Sequence, residues 1–290
     1  MPLSFLETTL LGAIAGVTIY LGLPVGRVQR IDERVRVGLA MFSAGILAFI
    51  FMDVTGHAES IIQTTLGQFK HGHTSFGHVL WLFALLAAGF ILGTAGIAAT
   101  ERRLMPARRS PAAPIAGGAA GGAVTAEEVD RLHAEGALAR AHALRTGMTI
   151  AVAIGLHNFA EGLAIGVSAR AGAIGLATVL IIGFALHNAT EGFGIVGPLG
   201  GVRPSWRWLG LAGLVGGGPT FVGAMVGFQV HSAPLELGFY ALAGGAILYV
   251  IGEIWAAVRR YDHRELGLYL LAGGFLLGVA TDLIVSYGGG

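Results

Sequence analysis

HNFAEG at residues 157–162 and HNATEG at residues 187–192 are two copies of one pattern, H-N-x-x-E-G, set thirty residues apart in apolar sequence. On an α-helix, which turns about 100° per residue, the Glu at i+4 lies roughly 40° from the His and the Asn at i+1 roughly 100° from it. Each copy therefore presents an imidazole, a carboxylate and an amide on one helix face. Because the carboxylate lies between the other two, it can share one metal ion with the His and a second with the Asn.

The overall composition is that of an integral membrane protein. Of 290 residues, 54% are hydrophobic and only 12% are charged, whereas soluble domains carry about 25% charged residues. There is no cysteine, so a metal ion has to be bound by His, carboxylate and amide side chains. The net charge of +1 gives no indication of nucleic-acid binding, and we expect the lipid bilayer as the surrounding partner.

Apolar stretches long enough to cross a membrane, about 20 residues each, recur along the whole chain. They predict an all-α polytopic membrane protein with eight transmembrane helices in a single domain covering residues 1–290. The predicted spans lie at about 4–24, 37–57, 78–100, 147–167, 173–197, 208–230, 237–257 and 266–287. The two motifs fall in the fourth and fifth spans, so we expect the metal site between those helices.

Small residues with G-x-x-x-G spacing recur in the apolar stretches, and they predict close helix packing, not ligand loops. The pairs are Gly12/Gly16, Gly89/Gly93, Gly223/Gly227 and Gly274/Gly278.

Sixteen of the 18 Lys and Arg residues lie in the segments 26–36, 101–146, 198–207 and 258–265. Because basic residues concentrate on the cytoplasmic side, these segments are predicted to be cytoplasmic and both termini extracytoplasmic. Within 101–146, the Pro/Ala/Gly-rich stretch from Pro106 to Gly122 is typical of a flexible linker. The capping-box pattern at 125–128 and the spaced apolar residues after it predict an amphipathic helix that leads into the fourth span.

The loop predicted at 58–77, on the outer side, carries His71 and His73. It is either a polar connection with interfacial histidines or a weak collecting surface for cations, since imidazole binds first-row metals.

The Glu residues of the motifs, Glu161 and Glu191, are the strongest functional signal. A Glu at the centre of a membrane costs about 2.5–3.5 kcal/mol on insertion scales. The alternative to metal binding is a hydrogen-bonded His/Asn pair between helices with a protonated Glu. Recurrence of the whole pattern in consecutive spans favours metal binding, because two carboxylates and two neutral imidazoles leave no net charge around a divalent ion.

Three further acids fall near the ends of predicted spans. Asp53 and Asp282 lie towards the outer ends of the second and eighth spans, and Glu253 towards the inner end of the seventh. Each is either an interfacial residue without a role or one carboxylate of an ion path that runs through the central site.

Eight spans, a long cytoplasmic loop after the third and H-N-x-x-E-G in the fourth and fifth together resemble the ZIP (Zrt/Irt-like) family of metal transporters, and the bacterial branch most closely. The resemblance implies a single membrane transport domain that moves Zn²⁺ or similar divalent ions into the cytoplasm. It also implies elevator-type movement and often a homodimer. By the same resemblance, His157, Glu161, His187 and Glu191 match the primary metal site, and Asn158 and Asn188 an adjoining second site. Asp53 and Asp282 match outer-path acids, and Glu253 an inner-end acid.

Three features depart from the family pattern. The position before each motif Glu, often Pro in the family, is Ala160 or Thr190, so we expect irregularity at the neighbouring Gly162, Gly183 and Gly192 instead. The cytoplasmic loop has few histidines. The Glu that often precedes a Pro in the sixth span is Gly218 here, beside Pro219. Without that acid, we expect one firmly bound ion and an empty or weak second position.

Other functions are weighed against metal import. An intramembrane metal-dependent hydrolase would activate water on the ion, but the H-E-x-x-H pattern of such enzymes does not occur in this sequence. A metal-sensing receptor lacks a sizeable soluble domain for signalling, and a metal exporter of similar topology stays open. We therefore expect a transporter and not an enzyme, in the bacterial cytoplasmic membrane. Zn²⁺ is the expected substrate, and Fe²⁺, Mn²⁺ and Cd²⁺ accept similar ligands.

Overall fold

The computed structural model describes residues 3–28, 32–104, 126–170, 174–229, 232–259 and 261–287, and within them the chain is helical with no strand. The α-helices of this described part are α1 (Phe5–Val17), α2 (Ile19–Gly22), α3 (Glu33–Lys70), α4 (Phe76–Ile91), α5 (Ile97–Leu104), α6 (Ala126–Arg170), α7 (Ile174–Val196), α8 (Trp206–Gln229), α9 (Ala233–Val258) and α10 (Arg264–Tyr287). Short 3₁₀ segments at Leu23–Arg27 and Gly197–Leu199 follow α2 and α7, and a π-helical turn at Leu92–Gly96 joins α4 to α5.

Seven stretches of the described residues are long and apolar enough to cross a membrane, which indicates a multi-pass membrane protein. They are Phe5–Arg27, Glu33–Lys70, Phe76–Arg103, Asp130–Arg170, Trp206–Gln229, Ala233–Val258 and Arg264–Ile284. Each coincides with one of the predicted spans. The predicted fifth span coincides with α7, a helix of 23 residues that is not among the seven, so the count of eight spans and the position of the termini stay predictions.

The prediction of an outer loop at 58–77 is wrong over most of its length, because α3 continues as helix to Lys70. Its 38 residues make a helix about 57 Å long, well beyond a hydrocarbon core of about 30 Å. No proline interrupts 58–70, and Ala58 and Thr65 are buried there, so the polar segment keeps helical structure through its own packing. His71 and His73 lie at the end of this projecting helix, and both are exposed.

The predicted amphipathic helix and the predicted fourth span form one continuous helix, α6, of 45 residues. Leu132 and Leu138 on its first half are exposed, so the apolar residues of this part are not covered by the rest of the described chain. The predicted linker between Pro106 and Gly122 lies outside the described residues, as does Thr125 of the predicted capping box.

Glycine contacts divide the helices into two groups, and α5, which has no glycine, is grouped with α4 because the π-helical turn joins them. We call α1, α2, α6, α7 and α8 the motif bundle, and α3, α4, α5, α9 and α10 the flanking bundle. In the motif bundle, a Cβ added at Gly16 would lie 2.2 Å from the carbonyl oxygen of Gly217. In the flanking bundle, a Cβ at Gly45 would lie 2.0 Å from that of Leu271. Helix backbones therefore touch within each bundle, as small residues allow in membrane proteins.

The predicted role of the four G-x-x-x-G pairs in packing is confirmed, because both members of each pair lie against a neighbouring helix of their own bundle. Contacts between the two bundles differ from the contacts inside each bundle. The glycines of α7 and its 3₁₀ turn that face α3 first meet side chains: Ser43 Oγ at 2.9 Å from a Cβ at Gly194, and Ala40 Cβ at 2.9 Å from one at Gly197. Side chains thus separate the two bundles at these positions, whereas backbone meets backbone inside each.

Candidate metal centre

The two motifs come together where α6 and α7 pack in the motif bundle. On α6, His157 Nε2 lies 2.8 Å from Glu161 Oε1, as the spacing of one helical turn predicts. From α7, His187 Nε2 makes a short hydrogen bond with the same Glu161 Oε1. One carboxylate oxygen therefore lies between two imidazoles, and His157, Glu161 and His187 each offer a ligand atom within 4.8 Å of the other two.

Glu191 completes a group of four around this point. Its Oε1 lies 3.7 Å from His157 Nε2, and the side chain is fully buried. His157 is also fully buried, and only His187 keeps partial exposure, at 14% of its side chain. Two carboxylates and two imidazoles are thus held together inside an apolar bundle, where uncompensated charge is costly.

Several potential metal-ligand atoms in this group lack a hydrogen-bond partner among the described residues. They include both ring nitrogens of His157, Oε2 of Glu161 and Oε1 of Glu191. The 2.8 Å contact between His157 and Glu161 is therefore close without hydrogen-bond alignment. Buried polar atoms are normally satisfied, and the unpaired His157 Nε2 and Glu191 Oε1, which lie 3.7 Å apart, suit a shared cation. The donor set, nitrogen and oxygen without sulfur, fits Zn²⁺ and related first-row ions.

The two motif Asn side chains lie next to this group, but they make different contacts. Asn158 Nδ2 donates to Glu191 Oε2 at 3.1 Å and to the carbonyl of Gly216 at 3.0 Å. Asn188 Nδ2 donates to the carbonyl of Ala15 at 3.0 Å. The helical spacing placed each Asn beside the Glu of its own copy, whereas the structure pairs Asn158 with the Glu of the other copy.

Both Asn side chains therefore tie helices together. Asn158 links α6 to α7 and α8, and Asn188 links α7 to α1. Their Oδ1 atoms are buried and have no hydrogen-bond partner among the described residues, so each amide still has an acceptor to offer. Because Asn158 holds Oε2 of Glu191, the other oxygen of that carboxylate, Oε1, is left facing His157.

The final Gly of each motif explains how the helices come this close. A Cβ at Gly162 would lie 2.1 Å from the carbonyl oxygen of Thr220 in α8, and one at Gly192 would lie 2.6 Å from that of Ile19 in α2. The helices are not interrupted at the expected positions, Gly162, Gly183 and Gly192, because α6 and α7 are continuous α-helix through both motifs. The proline of this bundle that lies inside a helix is Pro219 of α8.

Sequence reasoning missed several residues around the centre. The carbonyls of Ala15 and Gly216 hold the Asn side chains, and main-chain acceptors carry no sequence signal. Thr220 and Ser43 are fully buried, and their hydroxyl oxygens have no partner among the described residues. The sequence did offer a signal for these two residues: Thr220 comes directly after Pro219, and Ser43 lies among the apolar residues of α3.

The three predicted path acids do not join the cluster. Asp53 is half-buried, with Oδ1 3.6 Å from His57 Nδ1. Glu253 is half-buried and lies within electrostatic reach of Glu101. Asp282 is exposed. None of the three therefore belongs to the group of ligand atoms formed by His157, Glu161 and His187.

Comparison with known proteins does not add to this picture: no protein-family model and no curated protein matches the chain. The function therefore has to be argued from the chemistry of His157, Glu161, His187 and Glu191 and from the two-bundle architecture.

Proposed function

We propose that this protein is a membrane transporter for divalent metal ions, with Zn²⁺ as its main substrate. One observation carries the proposal: ligand atoms of His157, Glu161 and His187 converge within 4.8 Å of one another. His157 and Glu161 lie in a stretch long and apolar enough to cross a membrane, and His187 lies in α7, a helix of 23 residues packed beside it. Ionisable groups at membrane depth are costly unless they serve a function. The resemblance of the paired motif to the ZIP family supports the same reading.

The proposed primary site comprises His157, Glu161, His187 and Glu191. The two carboxylates balance the charge of one divalent ion, and the imidazoles supply neutral nitrogen ligands. This combination suits Zn²⁺, and it also accepts Fe²⁺, Mn²⁺ and Cd²⁺. Mg²⁺ and Ca²⁺ prefer all-oxygen sites, so we expect them to be excluded.

The proposed movement follows from the two bundles. All four ligands of the primary site belong to the motif bundle, whose helices touch backbone to backbone. We infer that this bundle moves as one body against the flanking bundle and carries the ion with it, in the manner of an elevator. In this scheme Asp53 and Asp282 of the flanking bundle attract cations on the outer side, and Glu253 receives them on the cytoplasmic side.

The proposal is tested by metal uptake into proteoliposomes that contain the purified protein. We expect uptake of Zn²⁺ above that of protein-free liposomes, and uptake at background for Glu161→Gln. Glu59→Gln is the matched control, because Glu59 is an exposed carboxylate on α3 that accepts a hydrogen bond from Gln63. Uptake by Glu161→Gln equal to that of the wild type, at equal reconstitution, would contradict the assignment of the site. Comparison of imposed inward and outward gradients tests the direction.

A further inference from the structure

A second pocket lies away from the metal centre, where the 3₁₀ segment Leu23–Arg27, α3 and the end of α7 meet. Its volume is about 400 Å³, and three arginines line it: Arg27, Arg36 and Arg203. No acidic residue is among the described residues that line it. A pocket this basic repels metal cations, so it does not serve as a branch of the metal path.

Two of these arginines are not engaged with carboxylates. Arg36 and Arg203 form no ion pair with any described residue. The acids nearest in sequence have other partners: Asp32 accepts a hydrogen bond from the Arg34 main-chain N–H at 3.1 Å, and Glu33 lies 3.6 Å from His263 Nε2. The guanidinium groups are therefore available for an anion from outside the chain.

The third arginine is held in place. Arg27 Nη1 donates to the carbonyl of Pro204, and its Cζ lies 4.6 Å from the centre of the Trp206 ring. These contacts occupy part of the guanidinium and leave its other N–H groups free to point elsewhere. A fixed guanidinium loses less side-chain entropy when it binds an anion, since its geometry is already set.

The rest of the pocket wall is apolar or open. Leu39, Phe193 and Val196 supply apolar surface, and the turn at Gly200 and Gly201 carries no side chain. Gly200 has φ +63°, a conformation that glycine adopts readily, and a Cβ at Gly201 would meet nothing within 4 Å. Arginine pairs with phosphate through parallel N–H groups, while the apolar wall suits the hydrocarbon of an amphiphile.

We propose that this pocket binds the phosphate group of an anionic phospholipid at the membrane surface. Basic pockets between transmembrane helices are suited to anionic head groups, and this one lies at the arginine-rich side that is predicted to be cytoplasmic. Arg36 belongs to the flanking bundle, whereas Arg27 and Arg203 flank helices of the motif bundle. A bound phosphate therefore connects the two bundles and stabilises the arrangement observed here.

The test measures lipid binding to the purified full-length protein by native mass spectrometry and by thermal unfolding in detergent. The arms are phosphatidylglycerol, zwitterionic phosphatidylcholine and inorganic phosphate without lipid. The variants are Arg203→Gln, whose side chain is exposed, and Arg36→Gln/Arg203→Gln. The control with the same loss of charge is Arg34→Gln/Arg207→Gln, because these exposed arginines on α3 and α8 do not line the pocket.

We expect the wild type and the control to bind phosphatidylglycerol in preference to phosphatidylcholine. Arg203→Gln should weaken that binding several-fold, and the double variant by about tenfold or more, since hydrogen bonds to charged groups are lost. Zinc binding at the central site, unchanged in all variants, verifies that they fold.

An equal loss in the control variant, or no preference for the anionic lipid, would overturn the proposal. Stabilisation by inorganic phosphate alone, lost in Arg36→Gln/Arg203→Gln, would keep the phosphate site and assign it to a soluble anion instead of a lipid.

Discussion

The motif bundle and the flanking bundle are packed by the same means, but they differ in how many polar side chains they bury. In both, glycines bring helix backbones into contact. Of the ten buried polar or charged residues in the described chain, however, eight belong to the motif bundle, and the flanking bundle contributes only Ser43 and Thr65. The three predicted path acids, Asp53, Glu253 and Asp282, belong to the flanking bundle and are half-buried or exposed. Rigid packing thus serves in one bundle to fix a polar site and in the other to build an apolar support.

In the proposed elevator movement, this difference keeps the site well defined while the motif bundle slides. Asn158 and Asn188 donate to main-chain carbonyls that join α6 to α8 and α7 to α1. The hydrogen bond from Asn158 to the Glu191 carboxylate joins α6 to α7, so these four helices are held in one arrangement. Towards α3, Gly194 and Gly197 meet the side chains of Ser43 and Ala40. The Ser43 hydroxyl can change rotamer when helices slide and the Ala40 methyl group presents a small apolar surface, whereas interlocked backbones cannot adjust in this way.

Substitution of the four proposed ligands tests the comparison most severely. We expect His157→Ala, Glu161→Ala, His187→Ala and Glu191→Ala each to weaken Zn²⁺ binding at least about 100-fold, because a lost ligand costs more than the 10–100-fold typical of a residue that only supports one. Asp53→Ala, Glu253→Ala and Asp282→Ala should change affinity by less than about threefold while they slow uptake.

Isothermal titration of the purified variants gives the affinities, and proteoliposomes give the rates. His71→Ala and His73→Ala are controls, since both side chains are exposed beyond the helices. If Asp53→Ala weakened binding as much as Glu161→Ala, the site would not belong to the motif bundle alone.

A pair of glycine substitutions compares packing within and between the bundles. Gly162→Ala places a methyl group 2.1 Å from the Thr220 carbonyl oxygen, so the backbones have to separate, at a cost of about 1–3 kcal/mol or more. Gly194→Ala first meets the Ser43 hydroxyl at 2.9 Å, a side-chain atom that can rotate away, and we expect a cost below about 1 kcal/mol. Thermal unfolding in one detergent ranks the two, and equal destabilisation would remove the distinction between the interfaces.

The two Asn residues sharpen the comparison inside the motif bundle. Asn158→Ala removes the donor that holds Glu191 Oε2, so we expect about tenfold weaker Zn²⁺ binding, as for other residues that orient a ligand. Asn188→Ala removes a hydrogen bond to the Ala15 carbonyl, and it should lower thermal stability with a smaller effect on affinity. The opposite ranking in titrations would indicate that Asn188, not Asn158, supports the ligands.

The last prediction concerns the number of bound ions, and it has the smallest expected effect. Asn158 and Asn188 have only neutral amide oxygens to offer, and Gly218 supplies no carboxylate, so a second cation beside the first would face uncompensated repulsion. Anomalous scattering from crystals soaked in zinc should show one strong central peak. Two bridged peaks of similar height would contradict this, and Gly218→Glu should raise the occupancy of the second position.

Sequence reasoning predicted the helical class, the membrane location and the principal residues of the site, and it was less successful with helix ends and contacts. The end of α3 was misplaced because hydropathy detects the membrane-embedded part of a helix and not its polar continuation to Lys70. The π-helical turn at Leu92–Gly96 was not predicted, since its sequence differs little from an ordinary apolar helix. The arginine pocket was also missed, because Arg27, Arg36 and Arg203 come from three separate segments.

The sequence by itself determined what depends on spacing along one helix. His157 and Glu161 share a face because four residues make about one helical turn, and the apolar stretches around them are compatible with a membrane. Only the tertiary structure decided which groups meet across helices: His187 with Glu161, Asn158 with Glu191, and Asn188 with the Ala15 carbonyl. These pairings depend on how closely α6, α7 and α8 approach at their glycines, which is set by the packing of the whole bundle and not by any local pattern.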